Sequence, residues 1–386
     1  MKKTLKNVCD FFTGTGFPVI YQGKTDGELP FYKVGDVANN VINGHVYLKL
    51  CKNYISRKIA KDIKGIIVPK DTIVFAKIGE ALKLNRRSIT STECLIDNNM
   101  LGICPKNQIV RTKYFYYFLK QLKMQNLAET TTVPSVKKST LENVIINIPP
   151  LQNQLHIENI LNTVSNIISN YQKELTQLDL LTQSLFVEMF GDFVENPKCY
   201  KKEPIETHVD LLSGYPFKSS QYVDVGINIC GGLIIMPQTI KWEDCLHWES
   251  TDGYEEYTLQ ENDIVMALDR PWISDGFKIA KVDAEHLPAL LIQRTARIRA
   301  IDINQEYLYY CFIIGGFERH SSITGSLVPH ISLKDIRSFQ ILIPPLKLQE
   351  QFADIVGKID KHKSVIQKSL NETQLLFDSL MQKYFG

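Results

Sequence analysis

A gapless internal repeat constrains this chain more than any other feature. Ile148-Pro149-Pro150-Leu151 recurs 195 residues later as Ile343-Pro344-Pro345-Leu346. The same offset matches Gln154 to Gln349, Ile160 to Ile355, Gln172-Lys173 to Gln367-Lys368, Leu180-Leu181 to Leu375-Leu376 and Phe190-Gly191 to Phe385-Gly386. Of 44 aligned positions 16 are identical, too long a match to be accidental. A period this long means duplication of a whole structural unit. It divides the 386 residues into four segments: 1–147, 148–191, 192–342 and 343–386.

Each repeat reads as one long helix. The β-branched run Val144–Ile148 suggests a strand. The double proline ends it, and a helix starts where a missing N–H costs least. Apolar residues follow at Ile157, Ile160, Val164, Ile167, Tyr171, Leu175, Leu178, Leu181, Leu185 and Met189. Phe352, Ile355, Ile359, Ile366, Leu370, Leu376, Leu380 and Tyr384 fall at matching points, with His362 and Thr373 the polar exceptions. Steps of three and four describe a coiled-coil seam. Its expected interface is Ile160, Val164, Ile167, Leu178 and Leu185 against Ile355, Ile359, Ile366, Leu376 and Leu380. About 40 residues at 1.5 Å each give a rod of roughly 60 Å, longer than a small domain is wide. The cheapest partner is the other copy, antiparallel; the plainer alternative is two separate surface helices, each packed on its own domain.

The segments before the helices correspond more loosely. Thr13-Gly14 resembles Ser213-Gly214, Asp71–Ala76 resembles Asn262–Ala267, Tyr114–Tyr117 resembles Tyr307–Tyr310, and Val133–Val136 resembles Val328–Ile331. Both mix β-type runs with a helix after the aromatic cluster, which predicts an α+β fold: two α+β units alternating with two long helices. The aromatic clusters, at helical spacing and present twice, read as core rather than base-stacking surface. The first glycine run starts about 13 residues in, whereas the second follows Gly191 by about 21. The first unit is therefore expected to lack part of an N-terminal strand or helix.

The net charge of +2 conceals a division. Residues 1–147 carry 23 Lys+Arg against 11 Asp+Glu, whereas 192–342 carry 14 against 22. A domain at +12 suits a polyanion, because each neutralised phosphate releases counterions. Its candidates for DNA contact are Lys49, Lys52, Arg57, Lys58, Lys83, Arg86 and Arg87; a solvated basic face is the plainer reading. The second unit is acidic, yet holds six of the ten arginines. Its candidates are Lys218, Arg270, Lys278, Arg294, Arg297 and Arg319. Strand alternation would point Arg297 and Arg299 to one face, and some of these arginines are expected to pair with local carboxylates.

These features together resemble the DNA-specificity subunit of type I restriction-modification systems. The carriers are the duplicated Pro-Pro-Leu-x-x-Gln helix start, the Ser213–Ser220 run and Asp263–Ala267, and the resemblance covers essentially the whole chain. It implies target recognition domains at 1–147 and 192–342, a central spacer helix at 148–191 and a distal C-terminal spacer helix at 343–386. Each domain would read half of a bipartite double-stranded DNA site. The chain itself would be non-catalytic and would direct adenine methylation by two methyltransferase subunits docked on a pseudo-twofold scaffold. Restriction subunits would join in a full system, or be lacking in a methylation-only one. S-adenosylmethionine, ATP and Mg would then belong to partner subunits, with no cofactor here. A protein-interaction coiled coil without a DNA role is the alternative from another class.

Motifs for competing chemistry are missing. Gly23-Lys24-Thr25 would close a phosphate loop, but Pro18 stands at the first glycine position. No Asn/Asp-Pro-Pro-aromatic motif of an adenine methyltransferase and no Glu-x-Lys nuclease triplet occur; Asp62-Ile63-Lys64 belongs to the basic stretch. Cys245-Leu246-His247 offers two ligands where structural zinc wants four, so no metal site is expected. Eight scattered cysteines without a CxxC pair, no apolar run of about 18 residues, and Asp10 interrupting the N-terminal stretch predict a cytoplasmic protein with reduced thiols and no membrane segment.

Two domains at the ends of a rod of up to ~60 Å would touch one duplex face about one to two turns apart, at ~34–36 Å per turn. Inserting two helical turns, about seven residues, between Ser169 and Gln177 should therefore lengthen the gap between the half-sites. Mapping of methylated sites for the lengthened chain checks this, and an unchanged gap refutes the ruler.

Overall fold

The double proline separates a strand from a helix in both repeats. In a computed structural model describing residues 1–49, 51–129, 133–320 and 329–386, strand Ile145–Asn147 precedes helix Leu151–Phe190, and strand Gln340–Ile343 precedes helix Leu346–Phe385. Each strand has an antiparallel partner at the start of its domain: Lys2 faces Asn147, and Lys201 faces Ile343. The strand expected to be missing from the first domain is therefore present. The second domain's extra residues connect it to the central helix instead. There Lys198 Nζ donates to the carbonyls of Glu188 (2.7 Å) and Met189 (3.0 Å), placing a cation where the helix ends with unpaired acceptors.

Two compact units result. The first takes residues 1–174 and 366–386, the second 175–365, so each long helix is shared out between them. Within each unit the same sheets recur. The first has an antiparallel sheet ordered Cys9–Thr13, Met100–Pro105, Ile73–Ala76, Arg87–Ile89; the second has Val209–Ser213, Thr295–Ala300, Ile264–Ala267, Ile279–Lys281. Each adds a three-stranded sheet: Tyr54–Ile55, Leu29–Tyr32, Leu95–Ile96 in one, and Leu246–Trp248, Ile227–Cys230, Ala289–Leu291 in the other. The shared glycine explains how the sheets join. A Cβ on Gly14 would lie 1.8 Å from the Asp97 carbonyl oxygen, and one on Gly214 would lie 2.0 Å from that of Ile292. No side chain fits either place. Val328, in the looser part of the repeat, lies outside the described residues.

The aromatic clusters are core. Helix Thr112–Gln121 buries Tyr114 to Leu119, and helix Gln305–Ile314 buries Tyr307 to Phe312. Tyr114 Oη donates to the Asn147 carbonyl (3.0 Å) and Tyr307 Oη to that of Leu342 (2.7 Å). In the first unit Tyr114 also packs on Phe385, with ring centroids 5.1 Å apart; in the second, Tyr307 packs on Phe190 at 4.6 Å. Each domain thus holds the start of one long helix and the end of the other.

Glutamine makes the first of these attachments. In the first unit Gln154 Oε1 accepts from the Arg111 backbone N–H (2.9 Å), while Nε2 donates to the carbonyls of Ile109 (3.0 Å) and Pro149 (2.8 Å). In the second, Gln349 Oε1 accepts from the Asn304 N–H (2.8 Å) and Nε2 donates to Pro344 O (2.8 Å). Arg111 and Asn304 stand at the N-caps of the aromatic helices, where backbone donors lack helical partners.

The two long helices pack antiparallel within each unit. Phe190 meets Phe352 (5.4 Å between centroids), and Asp179 pairs with Lys363 (2.6 Å). In the first unit Leu161 and Val164 share a core with Phe377 and Met381. Val164, Ile359 and Ile366 are buried as expected, and Ile160, Leu178, Leu185 and Leu380 are half-buried. Ile167, Ile355 and Leu376 are exposed, which corrects their assignment to the seam. Their places are taken one residue later by half-buried Ile168 and buried Val356 and Phe377. Each helix packs on a domain as well as on its partner, so its buried arc is wider than a two-helix seam and turned from it. Among the described residues no helix is long and apolar enough to cross a membrane.

Gln154→Ala leaves buried amide groups without partners and should cost the first unit about 1–3 kcal/mol. Denaturant unfolding of the variant checks this; an unchanged midpoint would show that the glutamine attachment adds no net stability.

Candidate nucleic-acid interface

Backbone hydrogen bonds place the two domains in register at the rim where strands end. Gly79 N donates to Pro134 O (2.9 Å), and Arg270 N donates to Pro329 O (2.8 Å). Lys77 N donates to Asn99 O (2.9 Å), and Leu268 N donates to Arg294 O (2.9 Å). Gly79 therefore corresponds to Arg270, and Asn99 to Arg294. Arg86 and Lys278 correspond as the residues immediately before the edge strands Arg87–Ile89 and Ile279–Lys281.

The second domain assembles three of its candidates around one cleft of about 470 Å³, lined by Arg270, Lys278 and Arg294 beside Leu233, Asp244 and Asp269. Arg270 and Arg294 both have left-handed backbones, φ 46° and 64°. At the Arg270 position the first domain uses glycine, with φ 75°. A side chain there costs about 1–2 kcal/mol, and such strain is characteristic of functional positions. The Lys278 amine donates to the Gly232 carbonyl. Burial lowers its pKa, and the Arg270 charge lowers it further. The arrangement concentrates positive charge with one of its groups already desolvated, which favours an anionic or acceptor-rich ligand.

Asp269 organises this rim. Its Oδ2 lies 3.0 Å from Arg294 Nη1 and its Oδ1 lies 2.7 Å from His330 Nδ1. Asp269 carries no sequence signal of its own, and His330 only its place in the repeated Val-Pro element, where it stands opposite Ser135.

Three candidates are buried: Lys278, whose amine is taken up by the Gly232 carbonyl, and two more that are corrected outright. Arg87 is buried: its guanidinium donates to the Asn85 carbonyl (3.0 Å), Asn85 Oδ1 (2.8 Å) and the Leu122 carbonyl (2.7 Å). Burial pulls its pKa down to about 9, so it remains a charged internal brace. Arg297 is buried against Asp210 and the Glu256 carbonyl. Arg299 likewise forms a two-point pair with Asp263, at 2.7 Å for each bond.

The rest are dispersed. Lys49, Lys52, Lys58 and Lys218 are exposed. Arg57 pairs with Glu93 (2.7 Å) and Lys83 with Glu80 (2.8 Å), both at the surface. Half-buried Arg86 borders a small apolar cleft with Val34, Val37 and Leu84. Arg319 lines a different cleft, beside Lys202 and His320. Cys245 Sγ lies 3.6 Å from His247 Nε2, but among the described residues no group of three ligating side chains forms.

The chain is thus built from two copies of one α+β domain, each packed against both long helices. The family model of the type I restriction modification DNA specificity domain matches residues 1–180 and 240–374. The MjaVIII type I restriction enzyme specificity subunit of Methanocaldococcus jannaschii is 27% identical over 302 residues, covering 71% of each chain. The MjaIX specificity subunit of the same organism is 23% identical over 384 residues, covering 92% of this chain and 86% of its own. The crystal structure of a type I restriction-modification S subunit from M. genitalium superposes with a TM-score of 0.57 at 14% identity, covering all of this chain and 96% of that one. The chain belongs to the family of type I restriction-modification DNA-specificity subunits.

Arg270→Gly should relieve the left-handed backbone. The penalty of about 1–2 kcal/mol, less glycine's extra unfolded-state entropy of about 0.5–1, leaves a gain of about 0–1.5 kcal/mol. DNA affinity should fall at the same time. Melting curves and duplex binding measured together check the trade; lower stability with full affinity would contradict it.

Proposed function

We propose that this subunit reads an asymmetric, bipartite DNA site, one half per domain, and directs adenine methylation by two methyltransferase subunits. The observation that carries this is a pair of matching scaffolds with unlike rims. The first presents Gly79, Arg86 and Asn99 where the second presents Arg270, Lys278 and Arg294. Identical frames with different side chains suit two different half-sites, since base edges are distinguished by donor and acceptor pattern. Dispersed lysines of the first domain would grip phosphates and set register.

Partner docking follows the same duplication. Leu180 and Leu181 are 55% and 53% exposed in the second unit, and their repeat counterparts Leu375 and Leu376 are 71% and 51% exposed in the first. Exposed leucine pairs repeated in both units fit two copies of one partner. S-adenosylmethionine would bind on those partners, and ATP and Mg on a restriction subunit where one joins. The site of action would be the cytoplasm.

The test is co-expression with the methyltransferase partner in a host without adenine methylation, followed by sequencing of modified positions. One asymmetric two-part motif is expected; a continuous motif, or methylation by this chain alone with S-adenosylmethionine, would overturn the proposal.

A further inference from the structure

The cleft of the second domain contains a guanidinium biased in orientation by a carboxylate that is itself braced. The Arg294 side chain is 75% exposed, yet Nη1 is held by Asp269, and Asp269 is held in turn by His330. A cation meant only for phosphate needs no such clamp, because phosphate accepts from many directions. The Asp269 carboxylate beside it would also repel a phosphate. Orientation matters when the ligand presents two acceptors side by side.

We infer that Arg294 reads a guanine in the half-site of the second domain, with Asp269 and His330 as positioning residues. This rests on the DNA-reading function proposed above and adds a base identity to it. In the major groove guanine presents O6 and N7 as adjacent acceptors. Adenine pairs an acceptor with a donor, cytosine presents a donor, and thymine one acceptor beside a methyl group. A clamped arginine has only donors to offer, so it favours guanine and is opposed by the amino groups of adenine and cytosine. The Asp269 carboxylate can itself accept from such an amino group on a neighbouring base. Arg270 and Lys278 add attraction for the duplex, while Asp244 on the same cleft wall opposes it. The first domain has Asn99 and Ile78 at the matching positions, so this device belongs to one half-site only.

The experiment uses the complete complex with its methyltransferase subunits and synthetic duplexes of the wild-type motif. Arg294→Ala should relax one guanine of the second half-site, with roughly 5- to 150-fold less discrimination there and no change in the other half. Replacing that guanine by 7-deazaguanine, which lacks N7, should weaken the wild-type complex and have no further effect on the variant. Asp269→Asn should lower discrimination at the same base with an unchanged melting temperature, which a purely structural carboxylate would not do. Arg294→Lys keeps the charge but not the fork, and should also relax the base. An unaltered motif in both arginine variants overturns the inference, as does an equal loss over all sequences. No two-part motif in the wild type would instead overturn the broader function.

Discussion

Everything in this molecule hangs on an amide held inside a domain. Gln154 and Gln349 each stand one turn into a long helix, and each satisfies a backbone donor at the N-cap of an aromatic helix. Both glutamines are buried, so detaching the helix would leave several polar groups without water or protein partners. The attachment therefore fixes where each rod leaves its domain. The tyrosines Tyr114 and Tyr307 add a second point, receiving a phenylalanine from the far end of the other helix. Two points of attachment define an axis, where one would leave a swivel.

The sequence made the large features legible because they are local or periodic. Pro149-Pro150 and Pro344-Pro345 mark helix starts directly, and the gapless offset leaves no freedom in aligning the copies. Tyr114 and Tyr307 read as core because the same cluster occurred twice at helical spacing. What failed depends on distant partners. Arg297 reads as a candidate for DNA contact because Asp210, which neutralises it, lies 87 residues earlier in the chain. Arg87 is braced by Leu122, 35 residues away. Asp269 and His330 are separated by 61 residues and share nothing in the sequence that announces their contact. Periodicity puts Ile167, Ile355 and Leu376 in the seam because it shows that a helix has a buried arc, not how many neighbours share it.

The charge imbalance also acquires a meaning. An acidic second domain is a poor general binder of polyanions, but Arg270, Lys278 and Arg294 line one cleft, with Arg270 and Arg294 on left-handed backbones. Arg297 and Arg299 are taken up by Asp210 and Asp263. On the proposed function, selectivity would be concentrated in the half that attracts DNA least, while the basic half would supply grip. Neither task compromises the other when one frame is used twice.

Sharing the long helices between units has a consequence for synthesis. The first unit is completed by residues 366–386, which place Phe377, Met381 and Phe385 against its core. Its other residues leave the ribosome some 200 positions earlier, roughly 10–40 s at ordinary elongation rates. Throughout that interval an apolar face of the nascent first domain waits for the last turns of the chain. The first unit is thus completed only after every residue of the second has been made.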